Sequence, residues 1–120
     1  MIVERDPHTR ALGAHFLQEA GFEVIFATDG QEALKRARER KPDIVITEIL
    51  VPKLDGLSLC RHLKSDPLTH RSTVLIFSIL AASSRAAEAG ADAFLMKPLS
   101  EQRLLGAVKS LIEKRQTSKG

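Results

Sequence analysis

The sequence has little of what disulfide-bonded, membrane-spanning or base-stacking proteins need. It contains one cysteine, Cys60, so an internal disulfide framework is excluded. No apolar run approaches the roughly 20 residues of a membrane span, and no segment resembles a secretory signal peptide. Tryptophan and tyrosine are absent and only five phenylalanines occur, which leaves few aromatic platforms for nucleic-acid bases. These absences predict a protein of a reducing compartment such as the cytoplasm, without a membrane anchor.

The length and charge of the chain limit it further. Its 120 residues, 43% of them apolar, suffice for one compact domain, which we expect over residues 1–115 with a flexible tail over 116–120. Eighteen basic against 15 acidic residues give a net charge of +3, and the basic residues cluster only near the C-terminus, at Lys109, Lys114, Arg115 and Lys119. Nucleic-acid binding through this basic tail is a minor alternative, which predicts a steep salt dependence.

Apolar segments alternate with amphipathic segments five times along the chain. Each apolar segment predicts a strand and each amphipathic segment a helix, which is typical of a parallel sheet with helices on both faces. The predicted fold class is α/β, a doubly wound five-stranded (βα)5 sheet. The predicted strands are Met1–Val3, Glu23–Ala27, Asp43–Thr47, Val74–Ser78 and Ala93–Met96.

The predicted helices have recognisable start and stop residues. Asp6 before Pro7 is an N-cap followed by a first-turn proline, and Asp29 with Glu32 forms a capping-box pattern. Ser100 is placed to cap the last helix. The predicted helices cover Pro7–Ala20, about 30–40, about 56–64, Ala82–Ala89 and the segment after Ser100.

Polar side chains follow four of the predicted strands. Glu4 and Arg5 come after the first strand, Glu48 after the third, Ser78 at the end of the fourth and Lys97 after the fifth. Because the carboxyl ends of parallel strands meet at one edge of a doubly wound sheet, we expect these groups to converge there and to form the functional site.

Five segments, in order and at their spacing, carry a resemblance that covers essentially the whole chain. VERDPHTR, ATDGQEAL, PDIVITEILVPKLDGLSLC, VLIFS and AGADAFLMKP resemble the response-regulator receiver domains of two-component signalling. The resemblance implies a flavodoxin-like receiver fold. It also implies a pocket in which two acids bind Mg²⁺, an aspartate accepts a phosphoryl group from a histidine kinase, and a hydroxyl residue and a lysine bind the phosphoryl oxygens.

The pocket positions match this pattern in part. Ser78 and Lys97 correspond to the phosphoryl-binding pair, and Glu4 to the first acid. Arg5 stands where the second metal-binding acid is expected, and Glu48 where the phosphoacceptor aspartate is expected. Since an arginine repels Mg²⁺, we expect the metal to be lost and no other metal or cofactor to be bound. The formal charges then balance, and the Arg5 guanidinium is predicted to pair with a carboxylate in place of the ion.

Three interpretations of this altered pocket stay open. The extra methylene of Glu48 would push its carboxylate outward, toward the place of a phosphoryl group, and hold the domain in an active-like state. Alternatively, Arg5 and Glu48 form an inert pocket in a stable fold. The third interpretation is a weak phosphorelay regulator in which Glu48 still accepts phosphate, and the retained Ser78 and Lys97 favour it.

Several secondary features have two interpretations each. Asp6 either replaces the missing acid or only caps the first helix. Phe94 lies where receivers have an aromatic switch residue, or it fills the core. The resemblance also implies a cis bond at Lys97-Pro98. Lys97 comes nineteen positions after Ser78, about one helical turn fewer than in typical receivers, which predicts a reshaped region around the fourth helix.

The sequence therefore predicts an atypical receiver that signals through protein contacts and has no enzymatic activity. Its expected partners are a histidine kinase, an output protein or a second copy of itself, bound through the face of the fourth helix, fifth strand and fifth helix. A flavoprotein or hydrolase of similar topology is the competing class, but the loop ERDPHTR lacks phosphate-wrapping residues and no Gly-x-Ser-x-Gly motif occurs. The remaining candidate ligands are interpreted as surface or packing residues: His8, His15, His62, His70 and Cys60.

Overall fold

The computed structural model describes residues 1–117, in which five strands alternate with five helices. The strands are β1 (Ile2–Val3), β2 (Phe26–Ala27), β3 (Ile44–Glu48), β4 (Thr73–Ser78) and β5 (Ala93–Met96). The helices are α1 (Pro7–Glu19), α2 (Gly30–Arg40), α3 (Gly56–Ser65), α4 (Ser83–Glu88) and α5 (Glu101–Thr117).

All five strands are parallel and lie in the order β2-β1-β3-β4-β5. The chain moves outward from β1 to β2 and then crosses back to β3, so the order reverses between β1 and β3. Such a reversal opens a crevice at the carboxyl ends of the strands, where ligands bind in doubly wound folds. The predicted doubly wound sheet is confirmed.

The sheet separates two apolar layers, because successive side chains of a strand point to opposite faces. Val45, Val74 and Ile76 pack in the layer that includes residues of α2, α3 and α4. Ile46 and Phe77 pack in the layer that includes residues of α1 and α5. Burial of these strands on both faces explains their nearly continuous apolar sequence.

The helix starts follow the predicted capping chemistry. Asp6 Oδ2 accepts a hydrogen bond from the Thr9 amide at 2.9 Å, which confirms Asp6 as the cap of α1. Asp29 Oδ1 accepts from the Glu32 amide at 2.8 Å, and Glu32 Oε1 accepts in return from the Thr28 amide at 2.9 Å. These bonds satisfy helix-terminal N–H groups that have no partner within the helix.

Several element boundaries differ from the predictions. β2 begins at Phe26 rather than at Glu23, because β1 pairs only with Phe26 and Ala27. β3 includes Glu48, and α4 has only six residues and no side-chain cap. α5 continues to Thr117, so it enters the segment predicted as a tail. Residues 118–120, including Lys119 of the predicted basic tail, lie outside the described residues.

The residues set aside as surface or packing groups are confirmed as such. All four histidines are exposed, and Cys60 is buried with its Sγ 3.4 Å from the Ala89 carbonyl oxygen. Burial raises the pKa of the Cys60 thiol to about 11, so it is protonated at neutral pH. Among residues 1–117, no helix is long and apolar enough to cross a membrane.

Gly56 brings the start of α3 against the end of β3. A Cβ at Gly56 would lie 2.3 Å from the Glu48 carbonyl oxygen, which real side chains do not tolerate. Gly106, within α5, is exposed and has no such neighbour within 4 Å. Gly106 is therefore a matched control for a Gly→Ala substitution at Gly56.

We expect Gly56→Ala to lower the free energy of unfolding by about 2 kcal/mol, because the loop after Glu48 must move to make room. Gly106→Ala should instead raise it by about 0.5–1 kcal/mol, since alanine is the better helix former. Urea unfolding followed by circular dichroism measures both. Equal effects of the two substitutions would show that the close approach at Gly56 is unimportant.

Candidate functional site

A buried cluster of three charged side chains lies at the carboxyl edge of the sheet. The Lys97 Nζ is 3.1 Å from Glu4 Oε1 and 2.7 Å from Glu48 Oε2. The side chains of Glu4, Glu48 and Lys97 are 3%, 4% and 18% exposed. This geometry confirms that the ends of the first, third and fifth strands converge, as the sequence predicted.

The sheet itself positions Lys97. Its backbone amide donates to the Ser78 carbonyl oxygen at 2.8 Å, which continues the β4–β5 pairing by one residue. Its Nζ lies 5.3 Å from the centroid of the buried Phe77 ring, within the range of a cation–π contact. The ammonium is therefore held between two carboxylates and an aromatic ring.

Glu48 is bound at both carboxylate oxygens. We expected its extra methylene to push the carboxylate outward, but the group is buried and turns back on its own loop. Oε1 accepts from the amides of Ile49 and Leu50 at 2.8 and 3.1 Å, while Oε2 accepts from Lys97.

Arg5 does not enter the cluster, and the predicted pairing of its guanidinium with a carboxylate is wrong. The residue is exposed, and within residues 1–117 it forms no ion pair shorter than 4 Å. Arg10 Nη1 donates to the carbonyl oxygens of Glu4 and Arg5 at 2.9 and 3.4 Å, which fixes the local backbone. Glu4 is buried, whereas Arg5 lies in the bend between β1 and α1 and is exposed.

The cluster therefore has one cation for two carboxylates, not the balanced charge that we predicted. Glu4 Oε2 is buried and has no hydrogen-bond partner among the described residues. Burial, opposed by Lys97, raises the pKa of Glu4 above its ordinary value. Burial also acts against the charged form of Lys97, but the hydrogen bonds to Glu48 and Glu4 outweigh it and raise the Lys97 pKa.

The side chains present fit a Mg²⁺ ion poorly. Mg²⁺ needs near-octahedral oxygen ligation at about 2.0–2.1 Å and usually takes one or two carboxylates. Of the three nearby carboxylates, Glu4 and Glu48 already bind Lys97, and Asp6 caps α1 through the Thr9 amide and hydroxyl. The neighbouring Arg5 adds positive charge. Among the 117 described residues, no group of three or more His, Cys, Asp or Glu residues is arranged to hold a metal.

The remaining predicted site residues lie around the cluster without joining it. Ser78 is fully buried at the end of β4, and its Oγ accepts from the Leu80 amide at 3.2 Å. Phe94 is half-buried and packs against the layer that includes α2, α3 and α4. The Lys97-Pro98 peptide bond is cis, as the family resemblance implies.

Three contributions to the site were missed at the level of sequence. They are the Phe77 ring, the amides of Ile49 and Leu50, and the Arg10 guanidinium. Phe77 had a usable signal, since it directly precedes Ser78 in the strand VLIFS. The amide contacts had none, because they depend on the conformation of one side chain.

Comparisons with known proteins give one family. The model of the response regulator receiver domain matches residues 1–109. The chain is 31% identical over 115 residues to the polar-differentiation response regulator DivK of Brucella anthropi, covering 93% of this chain and 94% of DivK. It is 31% identical over 122 residues to the alkaline phosphatase synthesis transcriptional regulatory protein PhoP of Bacillus subtilis.

That second match covers 95% of this chain but only 48% of PhoP, so the chain spans about half the length of this relative. Among solved structures, a crystal structure of a putative response regulator from Chloroflexus aurantiacus superposes with a TM-score of 0.89 at 33% identity. The superposition covers 93% of this chain and 94% of that one.

The raised pKa of Glu4 makes stability depend on pH. Above the ordinary value of 4.5, the folded state holds the Glu4 proton more tightly than the unfolded chain does. This contribution to the free energy of unfolding therefore decreases as pH rises from 4.5 through the raised pKa. Glu4→Gln removes it, so the stability of the natural protein relative to the variant should decline as pH rises across this window.

Urea unfolding at a series of pH values from about 4 to about 7 measures this difference. Glu19→Gln, at an exposed position at the end of α1, is the matched control for loss of a carboxylate. A stability difference between the natural protein and Glu4→Gln that is flat or increases with pH would contradict the burial of an unpaired Glu4 oxygen.

Proposed function

This chain belongs to the response regulator receiver domain family of two-component signalling, and we propose that it signals through protein contacts without accepting a phosphoryl group. The single observation that carries the proposal is the bonding of Glu48, whose two carboxylate oxygens occupy Lys97 and the amides of Ile49 and Leu50. An ammonium and backbone amides are donors suited to phosphoryl oxygens. In this chain the Glu48 carboxylate already binds these donors, so they are not available to a phosphoryl group.

A second argument concerns the metal. Phosphoryl transfer to a carboxylate needs a cation to neutralise the developing charge. The Lys97 ammonium already lies between Glu4 and Glu48, and Arg5 stands where the resemblance requires a metal-binding acid. We therefore propose that the domain works without Mg²⁺ or any other cofactor and has no enzymatic activity of its own.

The proposed signalling surface is the output face, defined as α4, β5 and α5, together with the loop that joins β4 to α4. Helix α4 has only six residues and no side-chain cap. In the loop between β4 and α4, Ile79 is 63% exposed, and Leu50, two residues after β3, is 52% exposed. Because β3 and β4 are neighbouring parallel strands, both residues follow the same edge of the sheet, and exposed apolar side chains grouped in this way are typical of contact surfaces.

The proposed partners are signalling proteins, namely a histidine kinase, an output protein or a second copy of this chain in a homodimer. The proposed location is the cytoplasm, a reducing compartment in which Cys60 would remain a free thiol and in which the proposed signalling partners would be found. The partners of longer relatives such as PhoP belong to those proteins, of which this chain matches only a part.

The second candidate function is a working phosphorelay receiver. Two observations favour it: Ser78 is buried at the end of β4, and Lys97 lies 2.7 Å from the acceptor position. Both phosphoryl-binding positions implied by the family resemblance are thus occupied by suitable residues. In this alternative, the Glu48 carboxylate leaves Lys97 and is itself phosphorylated by a kinase.

Two-dimensional amide NMR with Mg²⁺ and beryllofluoride, a phosphoryl mimic, separates the two functions. We expect no change around Ser78 and Lys97 in the natural protein, because Glu48 already occupies the donors. The double substitution Arg5→Asp, Glu48→Asp should restore a saturable response at both residues. The single variants separate two causes of a closed pocket. Arg5→Asp tests the missing metal-binding acid alone, and Glu48→Asp tests the changed acceptor residue alone.

A response of the natural protein would sink the main proposal and establish the phosphorelay alternative. If the double variant, with an otherwise native spectrum, does not respond either, Arg5 and Glu48 are not what closes the pocket.

A further inference from the structure

A groove of about 620 Å³ opens at the amino ends of the strands, at the opposite end of the sheet from Glu4, Glu48 and Lys97. Its walls come from the end of α1, the segment 21–25, the turn between α2 and β3, and the C-terminal half of α5. Small-molecule sites typically measure about 300–1,000 Å³. The groove therefore has the size of a ligand site.

The floor of the groove is apolar. Leu17, Ile44 and Val108 line it and belong to the buried layer beneath α1 and α5. Phe22 and Ile112 also line it but are only half-buried. An apolar ligand would cover the exposed parts of these two side chains, and this removal of apolar surface from water would stabilise the complex.

The shortness of β2 contributes to this opening. Residues 23–25 have the sequence of a strand, but β1 pairs only with Phe26 and Ala27. The Ile25 carbonyl oxygen still accepts a hydrogen bond from the Ile2 amide at 2.9 Å, whereas Glu23 and Val24, which precede it, line the groove outside the β1–β2 pairing.

The rim of the groove is positively charged. Arg40 and Lys41 lie at the end of α2, are exposed, and form no salt bridge within 4 Å inside residues 1–117. The third cation, Arg115, lies 3.5 Å from the exposed Asp43 carboxylate. Glu23 and Asp43 are the acidic lining residues, so three cationic side chains face two carboxylates. The Met1 amino group also lines the groove, but burial lowers its pKa to about 6, so it carries little charge at neutral pH. This balance favours a ligand with one negative charge.

We propose that this groove binds an amphipathic monoanion, with an alkyl or aryl body on Phe22 and Ile112 and an anionic head group at Arg40 and Lys41. The proposal is independent of the proposed function, because no group of the Glu4, Glu48 and Lys97 cluster lines the groove. The ligand is recognised by apolar burial together with one charge, and a medium-chain carboxylate has this chemistry.

The test is a two-dimensional amide NMR titration of the full chain with decanoate below its micellar concentration. We expect saturable shifts at Phe22, Ile44 and Ile112, and weaker binding of the uncharged decanol and the cationic decylamine. The double substitution Arg40→Gln, Lys41→Gln should weaken decanoate binding about fivefold, as two exposed charge contacts are lost, and leave decanol binding unchanged.

Ile112→Glu should abolish binding of both decanoate and decanol. Leu12→Glu is its matched control, since Leu12 is 43% exposed on α1 and does not line the groove. An amide spectrum that is native away from residue 112 would show that the Ile112→Glu variant is folded. If Ile112→Glu does not fold, the Phe22→Ser variant is used in its place.

Absence of saturable shifts at the groove, or shifts at another surface only, overturns the proposal. Equal affinity for decanoate, decanol and decylamine that is insensitive to Arg40 and Lys41 overturns the assignment of a monoanion. The titration with Mg²⁺ and beryllofluoride reports on the opposite end of the sheet, so either proposal can fail without the other.

Discussion

The contact of one ammonium with two buried carboxylates is the constraint on which the rest of the site depends. Lys97 bridges Glu4, directly after β1, and Glu48, the last residue of β3, and it follows β5, so one cation joins three strand ends. A buried ion pair does not add much stability by itself, but removal of one partner leaves an uncompensated charge. With two carboxylates dependent on one cation, the conformation of this edge of the sheet is fixed by Lys97.

The direction of one side chain decides how the altered pocket differs from the pattern that its sequence resembles. If the side chain of Arg5 pointed into the pocket, its charge and that of Lys97 would balance Glu4 and Glu48, and the pocket would be neutral. The structure turns Arg5 outward, whereas Glu4 faces inward and Arg10 holds the carbonyl oxygens of both residues. The substitution therefore removes a negative charge from the pocket without adding a positive one inside it. The Arg5 guanidinium is instead an exposed charge on the residue next to Glu4.

The parts of the structure that follow from local pattern were predictable from the sequence. The alternation of apolar and amphipathic segments predicted a doubly wound parallel sheet of five strands, and the Asp6 and Asp29 patterns predicted the starts of α1 and α2. The positions of Glu48 and Lys97 at strand ends then implied their meeting. What depended on tertiary contacts was not predictable: the direction of Arg5, the bonds of Glu48 to the Ile49 and Leu50 amides, and the length of β2, which its neighbour limits.

The unpaired oxygen of Glu4 bears on whether the pocket is inert or in use. A buried acceptor without a hydrogen bond costs about 1–3 kcal/mol, and an apolar residue of similar size at position 4 would avoid this cost. A pocket without a role has no physical reason to contain it, whereas functional sites commonly carry such local instability. Together with the fully bonded Glu48, this feature favours a pocket that holds one defined conformation of the β3 and β5 ends over a degenerate one. Lys97 directly follows β5 and precedes the segment that leads into α5, so the cluster adjoins two elements of the proposed output face.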